Sequence, residues 1–341
     1  PDTWISTGNY VLNKLISGDF HKGIPLGKVS VLAGSSGSGK SFLASGNLVR
    51  NAQEKNIFVV LIDSENALDE SWLHALGVDT SEDKLLKLNM AMIDDVAKTV
   101  SDFVKEYKNE YAKTDSTTKL TTYEGPKVLF VVDSLGMLLT PTDVDQFGKG
   151  DLKGDMGRKP KALTALVRNC VNMFADLNMG LVATNHTYAS QDMFDPDDKI
   201  SGGQGFVYAS SIVIAMDKLK LKTDADGVKT SKVHGIRSKC KIMKTRYSKP
   251  FETVELEIPY ETGLDPYSGM FEYILSKDVI TRSGNKYIYT DSEGNEHKYF
   301  EKEYKKNTNG IYDLILSEWN KEIDQRDQDE TLIEEPQTQE E

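Results

Sequence analysis

Apolar residues fall into two kinds of run along this chain. Short, almost wholly apolar stretches occur at Val29–Ala33, Ile57–Ile62, Val128–Val132, Leu181–Thr184 and Ser211–Met216. A parallel sheet covered on both faces buries such strands, and Leu85–Leu88 reads as a further one. Between them, helical spacing predicts helices at Phe42–Val49, Ile93–Tyr107 and Ala162–Leu177, after a short amphipathic helix at Tyr10–Ile16 and a Gly23–Gly27 turn. Beyond residue 218 the period changes to strict alternation. Leu219–Lys222 and Lys239–Lys244 flank Asp226-Gly227 as an antiparallel hairpin with one charged face, and Val254–Ile258 alternates likewise. Past Gly269 a small α+β module is expected: a helix at Met270–Ser276, a hairpin from Tyr287–Tyr289 to His297–Tyr299 and a closing helix at Ile311–Trp319. The expected division is a linker and helix over 1–27, a core over 28–268, the module over 269–320 and a disordered tail over 321–341. No internal repeat is visible.

The first strand runs into Gly34-Ser35-Ser36-Gly37-Ser38-Gly39-Lys40-Ser41, and Phe42 opens the next helix. Strand, glycine-rich loop and helix in that order are the context a phosphate-binding P-loop needs. The glycines let backbone N–H groups close round the phosphates, Lys40 can reach their outer oxygens and the Ser41 hydroxyl can hold Mg²⁺. Val128–Val132 ends in Asp133, the pattern of a second metal-holding carboxylate. Ile57–Ile62 ends in Asp63-Ser64-Glu65 and Leu181–Thr184 in Asn185-His186, so all these tips share one sheet edge. An aspartate or histidine at such a tip can also be structural. The stretch 145–161 carries four glycines with Lys149, Lys153, Arg158, Lys159 and Lys161 and reads as a long loop rather than a helix. It is either a solvated surface loop or a basic loop that orders on a phosphate backbone. A second long loop, 187–204, ends near Gly202 and Gly203. Residues 114–122 read as a polar, Thr-rich loop without a core face.

With 341 residues, 38% of them hydrophobic, the chain can bury a substantial core. No apolar run reaches membrane-spanning length, and Pro1-Asp2-Thr3-Trp4 lacks the features of a signal peptide. Pro1 in place of methionine suggests a trimmed start. Two cysteines, Cys170 and Cys240, form neither a disulfide framework nor a zinc pattern, which fits a reducing cytoplasm. The net charge of −12 at first argues against nucleic acid. From Glu322 onward, however, nine carboxylates face only Arg326, so eight of those charges lie in the tail. The body is close to neutral, with basic patches.

Taken together, Ser6-Thr7-Gly8, the P-loop, Asp63-Ser64-Glu65, Asp133-Ser134-Leu135-Gly136, Asn185-His186-Thr187-Tyr188, Lys244-Thr245-Arg246 and Gly263–Gly269 resemble the RecA family of DNA-strand-exchange ATPases, and the phage UvsX recombinases within it. The resemblance covers Ile5 to about Phe271. It implies an α/β fold: a RecA-like P-loop ATPase core with a central, mostly parallel sheet and helices on both faces, followed by a small α+β C-terminal module. It further implies ATP and Mg²⁺ as cofactors, with Glu65 as the base that orients the attacking water, Asp69 and Trp72 at adenine, and His186 as the γ-phosphate switch. Lys244 and Arg246 would reach the nucleotide of an adjacent subunit in a helical filament. The loops 145–161 and 187–204 would bind single- and double-stranded DNA through Lys149, Lys153, Arg158, Lys159, Gly202 and Gly203, although Asp192, Asp195, Asp197 and Asp198 make the second loop a poor electrostatic match. Mediator and single-strand-binding proteins are the expected partners, the cytoplasm of a host cell the expected location. The family's N-terminal polymerisation arm would precede Ser6 and is cut short, and the acidic tail would compete with DNA for the basic loops. Two other readings are a DNA-independent switch with the same fold and a hexameric helicase motor.

Overall fold

A computed structural model describes residues 2–150, 158–186, 206, 209–221 and 234–319. The chain begins with β1 (Trp4–Ile5), α1 (Tyr10–Ser17) and β2 (Ile24–Pro25), the two short strands pairing with each other. There follow β3 (Val29–Gly34), a π-helical turn (Phe42–Asn47) that continues as α2 (Leu48–Glu54), β4 (Phe58–Asp63), α3 (Glu70–Ala75), β5 (Leu85–Asn89) and α4 (Ile93–Tyr111). Next come β6 (Ala112–Thr114), β7 (Thr121–Tyr123), β8 (Val128–Asp133), α5 (Pro141–Gly148), α6 (Arg158–Phe174), β9 (Met179–His186), β10 (Ile212–Leu221), β11 (Gly235–Lys244) and β12 (Thr253–Pro259). The C-terminal part holds α7 (Met270–Ser276), β13 (Thr281–Ser283), β14 (Lys286–Thr290), β15 (Glu296–Tyr299), α8 (Glu301–Lys305) and α9 (Ile311–Glu318).

Eight strands form the central sheet in the order β12-β11-β10-β3-β9-β8-β4-β5. The run from β10 to β5 is parallel throughout, and β11 and β12 extend it by antiparallel pairing. Alternate residues of the apolar strands serve two separate cores. Val59, Leu61, Leu129 and Val131 face α1, α2 and the C-terminal helices, while Val60, Ile62, Phe130 and Val132 face α4 and α6. That double burial is why these strands show no polar face. Phe130, fully buried, stacks on Phe174 at 5.4 Å and meets Phe103 edge-on at 5.3 Å; truncating such a ring costs about 3–5 kcal/mol.

Two expectations are corrected. Residues 145–161 are not one continuous loop: α5 runs through Gly148, and α6 begins at Arg158 rather than Ala162. The reason lies upstream of the glycines, where Thr140 caps α5 through the Asp143 N–H and Asp143 returns a bond to the Thr140 N–H, with Pro141 in the first turn. Residues 114–122 close a hairpin, with Ala112–Thr114 paired to Thr121–Tyr123 and Asp115 accepting from the Thr117 and Thr118 N–H groups. Threonine's β-branching suits a strand even where no core face exists. Residues 153, 202 and 203, the loop 187–204, the turn at 226–227 and the tail lie outside the described residues.

Candidate functional site

Parallel register brings the strand tips to one level. Gly34 aligns with His186 on β9 and with Met216 on β10, and Asp63 aligns with Asp133. The P-loop therefore leaves the sheet beside every acid and imidazole predicted to act with it.

Within the loop, Gly34 has no room for a side chain, because a Cβ there would lie 2.5 Å from the Ser38 Oγ and 2.6 Å from the Met216 carbonyl. Gly39 has a φ of +96°, in the left-handed region that favours glycine, and its carbonyl accepts from the Leu43 N–H. The Ser38 Oγ is buried and has no hydrogen-bond partner among the described residues. An unsatisfied buried hydroxyl in a glycine-rich loop that opens a helix fits an anionic ligand there.

Lys40 is 5% exposed and folds back, its Nζ donating to the Ser35 carbonyl at 3.2 Å. Burial lowers its pKa, against the opposing pull of the Asp133 and Glu65 carboxylates. Asp133 is gripped by three hydroxyls. Ser41 and Thr184 donate to its Oδ1 at 3.1 and 2.7 Å, and Ser45 donates to its Oδ2 at 2.8 Å. Ser41 and Asp133 thus share the position expected to hold a metal ion. Ser45 and Thr184 were not anticipated from sequence, although Ser45 follows Ser41 by one helical turn and Thr184 sits two residues before the conspicuous His186.

Glu65 is held by a turn rather than by a helix or strand. Asp63, almost wholly buried, accepts from the backbone N–H groups of Leu68, Ala67 and Glu65 at 2.8, 3.2 and 3.3 Å, and the Lys87 Nζ lies 3.7 Å away. Ser64 adds a clasp to the next strand, its Oγ donating to the Ser134 carbonyl and accepting from the Ser134 N–H, both at 2.7 Å. So positioned, the Glu65 Oε1 meets the His186 Nε2 at 3.2 Å, each side chain about one-third exposed. Asp63 and Ser64 are positioning residues that the sequence offered only as neighbours of Glu65.

The remaining candidates divide. Asp69 caps α3, accepting from the Trp72 N–H at 2.7 Å and the Ser71 hydroxyl at 2.8 Å, and these bonds hold its carboxyl below the usual range. Trp72 is half-buried against the first core, and Phe42 is likewise half-buried at the start of the helix that carries the P-loop. Lys244 and Arg246 lie elsewhere. Lys244 aligns with Val213 and Val213 with Val31, three residues before Gly34, so Lys244 sits about 10 Å down the sheet toward the opposite edge. Arg246 follows beyond the strand end, and Thr245 ties the segment to α1 through the Ile16 carbonyl. Burial, then the neighbouring Arg246 cation, lower the Lys244 pKa. Lys149 pairs with Asp145 one turn back at 3.0 Å, Arg158 donates to the Thr142 hydroxyl at 3.1 Å and Lys159 lies beside it on the first turn of α6. Since α6 returns to the start of β9, its first turn stands at the P-loop edge.

The chain matches the family model of the RecA N-terminal domain over residues 3–95. It is 25% identical to the recombination and repair protein of Enterobacteria phage T4 over 88% of this chain and 71% of the relative. It is similar at 24% identity to RecA of Clostridioides difficile over 80% of this chain and 70% of that one. With RecA of Helicobacter hepaticus it shares 25% identity over 98% of this chain and 89% of the relative. No helix among the described residues is long and apolar enough to cross a membrane.

Proposed function

We infer from its membership of the RecA family of recombinases that this chain drives homologous pairing and strand exchange, coupling ATP to the occupancy of DNA. The observation that carries the reading is the single sheet edge on which the P-loop, Asp133, Glu65 and His186 converge, with His186 at the root of residues 187–204. The phosphates would lie against Ser35–Ser41, with Lys40 leaving Ser35 to meet them and the buried Ser38 hydroxyl gaining a partner. Ser41 and Asp133 would hold Mg²⁺, which supplies charge neutralisation at the phosphates when bound. Ser45 and Thr184 keep the Asp133 carboxylate aimed.

Glu65 is the proposed base, with Asp63 and Ser64 fixing its position. Its hydrogen bond to His186 then becomes the switch: His186 is either bonded to Glu65 or turned toward nucleotide, and the main chain of β9 passes that choice to the segment that follows. Asp69 and Trp72 would lie at the adenine. Lys244 and Arg246 lie down the sheet from their own P-loop, so we assign them to the nucleotide of the next copy in a filament, supplying positive charge in trans. DNA would be met by residues 145–161 and 187–204, including Lys149, Lys153, Arg158, Lys159, Gly202 and Gly203. Single-strand-binding and loading proteins are the proposed partners, and the cytoplasm the proposed compartment.

The test is the ATPase rate with and without single-stranded DNA, at low and moderate salt, in the whole chain and in a chain cut after Asn320. Strong stimulation that fades as salt rises supports the reading, and a rate indifferent to DNA in both forms refutes it.

A further inference from the structure

One edge of the central sheet is open over a short length. In β12 the even residues bond to β11: the Ile242 N–H donates to the Glu252 carbonyl and, at the far end, the Tyr260 N–H donates to the His234 carbonyl. The odd residues therefore turn their N–H and C=O groups outward. Those of Glu257 are satisfied, its N–H by the Ser268 Oγ and its carbonyl by the Asp265 N–H, while the Pro259 carbonyl accepts from the Gly263 N–H. Asn9 locks the covering turn by donating to the Asp265 and Ser268 carbonyls. The outward main-chain groups of Thr253 and Glu255 have no protein partner among the described residues, and both residues are exposed. A sheet edge left this way accepts an added strand.

That open length lies in a cleft of about 770 Å³ between β12 and α7, walled on one side by Val254 and Phe271. The cleft has unbalanced charge. Five carboxylates line it against three lysines, Lys249, Lys277 and Lys305. Lys277 pairs with Glu252 at 3.3 Å and Lys305 with Glu272 at 3.2 Å, and on the neighbouring strand Arg237 pairs with Glu255 at 3.4 Å. Glu257 and Asp265, both half-buried, form no ion pair among the described residues. Burial raises both their pKa values. For Glu257, Asp265 and Glu272 add to the rise while Lys305 and Arg237 oppose it, and for Asp265 the bond from the Tyr267 N–H opposes it. Two half-buried carboxylates that lack an ion-pair partner are destabilised until a further cation arrives beside them.

We propose that this cleft docks an extended, cationic segment of a partner protein: its main chain pairs with Thr253 and Glu255 as an added strand, and an arginine or lysine side chain enters between Glu257 and Asp265. The sign of the site selects this occupant. The chain's own tail, with nine carboxylates from Glu322 onward, is repelled, and so is the phosphate backbone of DNA. In the sheet β11 and β10 separate β12 from the P-loop strand β3, and no P-loop residue lines the cleft, so its occupation leaves the P-loop accessible.

The experiment pans a random-peptide display library on the full-length chain and on the E257Q/D265N variant in parallel. Enrichment of sequences carrying arginine or lysine in an extended pattern, on the unmodified chain only, is expected. A synthetic copy of the enriched peptide should lose about tenfold or more in affinity, by fluorescence anisotropy, when its arginine is replaced by citrulline or the protein carries E257Q/D265N. Methylating its backbone nitrogens should abolish binding, and DNA-stimulated ATPase should be unchanged in the variant. Equal enrichment on the two proteins, selected sequences without cations, or affinity indifferent to citrulline or to backbone methylation would overturn the proposal. The citrulline and methylation arms use the unmodified protein and decide the matter even where the double variant folds poorly. Sedimentation velocity covers the remaining occupant: self-association abolished by E257Q/D265N would assign the edge to a second copy instead of a partner.

Discussion

Replacing Thr184 by valine tests whether the Asp133 carboxylate is aimed by its hydroxyl partners. Thr184 is fully buried, and its hydroxyl donates to the Asp133 Oδ1 at 2.7 Å. Valine has almost the same shape, so no cavity opens and the backbone of β9 has no cause to move. The lost interaction is a hydrogen bond to a charged group, about 1.5–3 kcal/mol. The added buried methyl returns somewhat under about 1 kcal/mol. The net loss is about 1–2 kcal/mol, or roughly 2–8 °C in Tm at the two-state sensitivity of large domains. With only Ser41 and Ser45 left as donors, the carboxylate can swing away from the metal position, and half-saturation of the ATPase by Mg²⁺ should move to higher concentration. Thr184→Ser is the control: it keeps the hydroxyl and should keep the Mg²⁺ dependence while losing about 1 kcal/mol of methyl burial. A Thr184→Val protein with unchanged Tm and unchanged Mg²⁺ dependence would refute the argument.

Glu65→Gln should retain ATP binding, measured with a fluorescent analogue, and lose turnover; an undiminished rate eliminates Glu65 as the base. Mixing Arg246→Ala with Lys40→Ala subunits should restore part of the DNA-stimulated ATPase that each lacks alone, and absence of rescue at every ratio removes the shared site. Burial pushes the Cys170 and Cys240 thiols up to about 12, so neither should react with a disulfide reagent at pH 8 until the chain unfolds, and fast labelling of the native protein would contradict their burial. Because these pKa values are raised by folding, the linked stability is fully present below the unfolded thiol pKa of about 8.5 and is lost as pH rises toward 12. A denaturant midpoint that does not fall across that window in the wild type, relative to a Cys170→Ala/Cys240→Ala variant, would count against it.

Strand positions were legible because burial on both faces leaves a compositional mark that no helix among the described residues imitates. Val59–Ile62 and Val128–Val132 are apolar at every position, since each strand feeds two cores in turn. The P-loop and the carboxylates at the strand tips were legible for the same reason, each being fixed by the strand that delivers it. The start of α6 was not. Arg158, Lys159 and Lys161 in its first turn carry no apolar signal, and Pro160 suggests a break although proline is tolerated in a first turn. The grip of Ser45 and Thr184 on Asp133 was hidden as well, because it depends on three elements meeting. So was the exposed stretch at Thr253 and Glu255, since alternation reports which side chain is buried but not which main-chain groups lack a partner.

The separation of Lys40 from Lys244 and Arg246 by the depth of the sheet sets an arithmetic on any assembly that joins them between copies. Each copy brings one P-loop at one edge and one cationic pair at the other, so a linear array always has one P-loop at its terminus with no pair beside it. In such an assembly a lone copy would have no complete site. The rate per copy should therefore climb with array length and level off, most steeply for the shortest arrays, and the terminal copy should bind nucleotide without turning it over. Growth and shrinkage would then differ at the two ends, giving the array a direction that comes from the fold of a single subunit.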